Sequence, residues 1–372
     1  MNRNDVKSAL GVIAISGGLL GLSAFAVPHI VAYTEMNRQV PEAHVSYEQQ
    51  HTRKPAVQLA SSQIPVLKIE AEAPVSTIQT YLERTVTEEE IKESNAYAEK
   101  LRYMDHEIFT REMTEQESKR QLILDDQYRF DGLRPKQKLP MKAGNYEFYL
   151  DRSKATYVLP KRALTDEELL QFIDWTYRFN YVLGLSYVKP QPDQKDIGEA
   201  EALSKAKESV ARLFDVDLSK MEGKASYNKS GPEQKGVWFV HFQPYRVGAL
   251  QAQGKPYFMY NVFIDSLSGT VIDSTIVELA YKRTPITAEM NGRIRQDSSW
   301  LQAARTIVAD KQGDTREIAG TTIIKDSIYD KRGVVAVLVK LKDGSSYTAE
   351  LRYPEKKLRC LIYTPASPAS KS

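Results

Sequence analysis

Apolar side chains in this chain recur at two spacings, every third or fourth residue and every second residue, and the two patterns alternate. Leu203, Ala206, Val210, Leu213 and Phe214 fall at helical spacing. Strand-like runs follow at 237–242, 257–265 and 270–277. The order then recurs. Trp300, Leu301, Ala304, Ile307 and Val308 mark a second helix, and runs at 321–324, 334–341, 347–353 and 358–363 a second set of strands. A Lys342-Asp343-Gly344-Ser345 turn joins two of them, its Asp-Gly pair tolerating positive φ. One helix before an antiparallel sheet, twice over, predicts an α+β fold with a helix covering one face of each sheet.

Upstream, 145–151 and 155–159 read as a β-hairpin. Thr165 with Glu168 forms a capping box, and Leu169, Phe172, Ile173, Thr176 and Phe179 give the helix behind it a stripe that packs on the hairpin. Thr87 with Glu90, and Asp196 with Glu199, suggest two more capping boxes. The mixed charge of 85–126 predicts solvated helix faces, one helix running over about 114–124, with Asp125-Asp126 at a charged helix end. Residues 34–80 read as a stalk: Pro41, Pro55, Pro65 and Pro74 interrupt polar stretches in which no period persists.

Before the stalk, residues 9–27 carry no charge. As a helix they span about 28 Å, close to a bilayer's hydrocarbon core. Two readings stay open: a retained signal anchor over 8–33, or a signal peptide cleaved after Ala24-Phe25-Ala26. Arg3 and Lys7 keep the short flank, 1–7, cytoplasmic in both. Gly17 and Gly21 offer a small-residue face on which two such helices can dimerise, although small residues are common in membrane segments. The chain thus divides into 1–7 (tip), 8–33 (anchor in the lipid bilayer), 34–80 (stalk), 81–190 (helices and hairpin), 191–283 and 284–366 (the two repeats), and 367–372 (a disordered tail).

Composition narrows the chemistry. A charge of +3 over 372 residues is too small for a nucleic-acid partner. With one cysteine, Cys360, an exported chain has no internal disulfide, and its cores must hold it together. Cys360 lies in an apolar strand with no histidine near it in sequence. His241 alternates with Phe239 inside a strand and reads as a half-buried, hydrogen-bonded side chain. No His-Glu-x-x-His, paired cysteine, phosphate loop or nucleophile elbow is present, and Ser204-x-x-Lys207 stands on a polar helix face without companions. The sequence therefore predicts no cofactor, no metal and no enzyme. Basic residues outnumber acidic ones between 281 and 359, at Lys282-Arg283, Lys331-Arg332 and 355–359. Such a face draws anionic wall polymers or lipid headgroups, unless the lysines merely discourage sheet-to-sheet aggregation.

Ala202-Leu203-x-x-Ala206-Lys207-x-x-Val210, followed by Val262-Phe263-Ile264-Asp265 and Gly269-Thr270-Val271-Ile272, resembles the PepSY domain over residues 195–283. Residues 297–364 share the layout but lack the Ile-Asp…Gly-x-Val ending. The resemblance implies a module of envelope and secreted proteins that restrains peptidases or regulates surface partners, with no shared catalytic residues. It suits a membrane-anchored, extracytoplasmic binding or regulatory protein of a bacterial envelope, acting on another envelope protein and able to homodimerise. An alternative is a scaffold component of an envelope, division or sporulation assembly, and a third is an unrecognised hydrolase. If the 257–277 hairpin leaves a sheet edge free, Tyr257, Met259, Asn261 and Asp265 are the candidate interaction surface.

Overall fold

The structure is a computed structural model and describes residues 75–101, 108–186, 190–230, 235–278 and 283–366. The cytoplasmic tip, the anchor with Gly17 and Gly21, nearly all of the stalk, and the C-terminal tail lie outside the described residues. Among those residues no helix is long and apolar enough to cross a membrane. The fold is α+β, a helical unit beside one large antiparallel sheet.

The helical unit contains α1 (Ile78–Thr85), α2 (Glu88–Leu101), α3 (Glu115–Asp126), the short strands β1 (Tyr149–Asp151) and β2 (Thr156–Val158), and α4 (Asp166–Leu185). Helix α1 begins inside the stretch read as stalk. A π turn, Gln127–Asp131, prolongs α3 and ends at Gly132, whose φ of 73° closes it. Thr114 and Thr165 each close a full capping box, with Glu117 and Glu168. Thr87 accepts from the Glu90 amide at 3.2 Å, but the Glu90 carboxylate turns to Arg178 and Lys138 instead of reaching back. Helix α4 packs on the hairpin as its stripe predicts: Phe172 meets Tyr157 edge to face, centroids 5.0 Å apart.

The sheet comprises β3 (Met221–Ser230), β4 (Lys235–Pro244), β5 (Phe258–Asp265), β6 (Val271–Glu278), β7 (Ile318–Ile323), β8 (Val334–Leu341), β9 (Ser346–Arg352) and β10 (Leu358–Thr364). Its spatial order is β3-β4-β5-β6-β10-β9-β8-β7. Each repeat is thus a four-stranded meander, and the last strands of the two repeats pair antiparallel, with Ser274 opposite Leu361. The repeats meet tail to tail and share one sheet, so the boundary at 283/284 separates two chain segments but not two sheets. The first strands, β3 and β7, become its outer edges.

Helix α5 (Glu199–Phe214) covers the first repeat through Ala202, Ala206 and Val210, which pack on Trp238, Val240, Tyr260, Val262 and Ile264. Helices α7 (Ala288–Gln296) and α8 (Ser299–Thr306) cover the second, Trp300, Ala304 and Val308 packing on Val335, Val337, Ala349 and Leu351. Phe214 touches both cores and ties the repeats together. Two short helices complete the unit, α6 (Val247–Ala252) and α9 (Ser327–Lys331). Asp196 is not part of a capping box, since α5 is capped at Gly198. Its carboxylate instead accepts from the Tyr227 hydroxyl at 2.7 Å and the Ser266 hydroxyl at 2.8 Å, fastening the helix entry to the sheet.

Candidate interaction site

The 257–277 hairpin leaves no edge free. β5 lies between β4 and β6, and β6 pairs with β10, so every strand of the hairpin has two neighbours. This overturns the reason for choosing its residues. Tyr257 is buried and its hydroxyl accepts from Gln251. Asn261 is half-buried, its Oδ1 2.7 Å from His241 Nδ1, and His241 Nε2 lies 3.3 Å from Gln243 Oε1. Asp265 accepts from the amide and the hydroxyl of Ser268, both at 2.7 Å, and so holds the turn that Gly269 closes at φ 67°. Met259 is half-buried on β5.

The two true edges differ in their protection. β3 carries Lys224 and Lys229, charges of the kind that discourage a foreign strand. β7 reads Ile-Ala-Gly-Thr-Thr-Ile, without charge or proline. A bulge between Ile318 and Gly320 disturbs its start, but Gly320–Ile323 run in regular register with β8. Ala319 and Thr322 are exposed. At the far end of β7 lies a cavity of about 240 Å³ between α7 and the segment leading into α9, lined by Asn291, Arg295, Ile323, Lys325 and Asp330 among others. A strand's letters record its apolar rhythm but not its position in the sheet, so the sequence identified this strand without identifying the edge.

A second concentration of polar groups sits where the helical unit meets the sheet. Asp125-Asp126 is not a solvated helix end: the two side chains are only 6% and 2% exposed. Asp126 Oδ2 accepts from the Ala249 amide at 2.6 Å, so α3 satisfies the start of α6. Arg129 pairs with Glu222 of β3 at 2.9 Å, both side chains largely buried. Arg246 clasps Asp131 at 2.6 Å on the rim. Burial pushes Asp125 up to about 7 against the attraction of Arg129. Burial raises Asp126 as well, against the pull of the Ala249 amide. Glu222, despite the cost of burial, is held below the ordinary carboxylate range by Lys224 and Arg129. Glu117, called part of a solvated face, is fully buried and chelated by Arg111.

Close backbone approach fixes this seam. A Cβ on Gly248 would lie 2.1 Å from the Leu122 carbonyl oxygen. Gly248→Ala should therefore wedge α6 away from α3 and cost about 1–3 kcal/mol. Thermal unfolding of the variant, together with protease sensitivity of the 244–257 loop, measures the effect. An unchanged melting temperature would mean that the seam is not packed this way.

At the centre of the sheet, Cys360 is buried in β10, as its apolar run predicts. The Thr275 hydroxyl lies 2.7 Å from Asp273 Oδ1 and 2.9 Å from Cys360 Sγ. Burial raises the thiol well above its ordinary range, with Asp273 and Glu350 adding to it, so it stays protonated. Within the basic runs, Arg332 and Arg359 both reach Glu350 and Lys356 pairs with Asp297 at 2.7 Å, while Arg283, Lys331 and Lys357 are exposed.

No family model matches the chain, and no curated protein matches it. A solved structure of a Clostridium leptum protein of unknown function aligns over 47% of this chain and 92% of its own, at 11% identity and a TM-score of 0.27. At that score the likeness bears on neither fold nor function.

Proposed function

We propose that this chain is a membrane-anchored, extracytoplasmic recognition protein whose head captures an extended segment of another envelope protein along β7. The observation that carries the reading is the edge strand β7, which has no charge or proline and pairs with β8 alone among the described residues, whereas the other edge, β3, is guarded by lysines. Such an edge presents backbone donors and acceptors that a further strand satisfies. Its persistence without lysine or proline is what a recognition edge needs and what a merely structural edge avoids. The uncharged stretch 9–27 supplies the anchor, and the PepSY-like pattern of 195–283 agrees with a regulatory module that acts by binding, with no catalytic step of its own.

A photo-cross-linking side chain at Ala319 or Thr322 in intact cells should form adducts mapping to one extended segment of a partner, while the same group at Lys224 on β3 should not. Thr322→Lys should weaken that capture about tenfold or more by placing a charge where a strand would pair. Equal adducts from both edges, or capture indifferent to Thr322→Lys, would overturn the assignment. Protease added to whole cells should digest the C-terminal portion. Protection of that portion would overturn its placement outside the membrane.

A further inference from the structure

Resting on the reading of β7 as a recognition edge, we infer that the segment it captures carries a β-branched apolar residue opposite Ile323, which extends the core of the second repeat by one strand. A single row of side chains crosses the whole sheet in register, from Ala225 on β3 through Val240, Val262, Leu361 and Val337 to Ile323 on β7. The row faces the helices: Val240 and Val262 belong to the core under α5, and Val337 and Leu361 to the core under α8. Its one polar member stands where the repeats join, Ser274, whose Oγ lies 2.9 Å from Ser209 Oγ of α5. The two ends of the row differ. At β3 it closes on an alanine beside Lys224. At β7 it closes on Ile323, a large side chain that packs on the second core and is only half-buried.

The backbone of β7 sets which residues a new strand meets. The Ile324 amide donates to the Ala336 carbonyl at 2.8 Å, so Ile324 and Thr322 turn their backbone groups towards β8. Thr321 and Ile323 alternate with them and turn theirs outward. An antiparallel ninth strand bonded to those groups places one residue directly opposite Ile323, on the same face, with Cβ atoms about 5 Å apart. There an apolar side chain covers the exposed flank of Ile323 and continues the row. Thr321 offers no such surface, because its Oγ1 accepts from Arg305 Nε at 2.8 Å and a guanidinium stands on the helix side of it. On the other face the neighbour is the exposed Thr322, beside which a side chain of either kind stays in water. Apolar selection therefore falls at one position, and backbone hydrogen bonds, indifferent to sequence, supply the rest of the affinity.

The test uses the full-length chain in detergent and two fluorescent peptides of about nine residues, alternating threonine and serine, with valine or threonine at the centre. Valine and threonine are both β-branched strand formers, so the exchange alters polarity more than conformation. The valine peptide should bind about threefold more tightly, and the gain should persist as salt is raised, since no charge takes part. Ile323→Thr, its fold checked by circular dichroism, should bind the two peptides alike. A valine gain that survives Ile323→Thr overturns the pairing with Ile323. Equal binding of the two peptides to the unaltered chain, lost in Thr322→Lys, overturns the apolar position and leaves the recognition edge standing. Peptide binding indifferent to Thr322→Lys overturns both. So does concentration-dependent self-association that Thr322→Lys abolishes, with no peptide bound, since the occupant would then be a second copy of the chain.

Discussion

Asp174→Ala should lower the unfolding free energy by about 3–5 kcal/mol, the scale of a buried ion pair broken on one side. Asp174 is 2% exposed and sits at the centre of the helical unit. Its Oδ1 accepts from the Tyr81 hydroxyl at 2.9 Å and the Tyr128 hydroxyl at 2.8 Å, and its Oδ2 from Arg178 Nε at 2.7 Å. Arg178, itself buried, retains Glu90 at 3.2 Å and the Tyr81 and Thr85 hydroxyls, but in the variant it faces an empty site where its nearest counter-charge was. Two tyrosine hydroxyls lose an acceptor at the same time. Arg134, stacked over the Tyr81 and Tyr128 rings at 4.3 and 4.0 Å, holds both rings where the hydroxyls cannot turn to water. Asp174→Asn keeps an acceptor and should cost distinctly less. Asp174→Leu combined with Arg178→Met should cost less than Asp174→Ala alone, because no charge is left unpaired. Urea unfolding of the three variants measures the ordering. A loss below about 1 kcal/mol for Asp174→Ala would put this carboxylate in contact with solvent.

The sequence was most legible where burial on one face imposes a period. Trp238, Val240 and Phe242 alternate because α5 covers that side of β4, and the run was visible without knowing what covered it. Trp300, Ala304 and Val308 mark α8 by the same physics. β3 escaped notice because an edge strand has one neighbour and little apolar rhythm: Lys224, Ser226, Asn228 and Lys229 spell a loop to any local rule. Helix α6 escaped for another reason. Its six residues are held by a contact from 123 positions away, Asp126 accepting from Ala249. The same long-range contact explains the error over Asp125-Asp126, whose local charge density matches that of a solvated helix end. Pairing of β6 with β10 is the step on which the candidate surface turned, and nothing in either strand's letters specifies its partner. The family-like pattern at Asp265 and Gly269 marks a turn and says nothing of where the edge lies.

The seam between the helical unit and the sheet should make stability depend on pH in a direction opposite to that of an acid held ionised by an ion pair, and Asp125→Asn isolates the effect. Asp125 ionises near 7 in the folded chain, against about 4 when unfolded. Between those values the folded state keeps a proton that the unfolded state has released. Its contribution is therefore fully present below about pH 4, is lost progressively as pH rises towards 7, and is flat above. Asp126, raised for the same reason, adds in the same sense, whereas Glu117, lowered by Arg111, works the other way. Both remain in the variant and cancel in the comparison. The groups facing Asp125 are Arg129 and Asp126 on its own helix and Tyr177 across from it on α4, with Glu222 of β3 behind Arg129. The Tyr177 hydroxyl lies against the Asp125 carboxyl, and an asparagine at position 125 keeps an oxygen acceptor facing it. Near pH 4 wild type and Asp125→Asn should unfold at closely similar urea concentrations. At pH 8 the variant should be the more stable by about 2–4 kcal/mol, since it never places an anion in this site. A stability difference that stays constant across the range, or one that grows towards acid, would mean that Asp125 is ionised and paired with Arg129 throughout, and that the seam is held by a salt bridge at every pH.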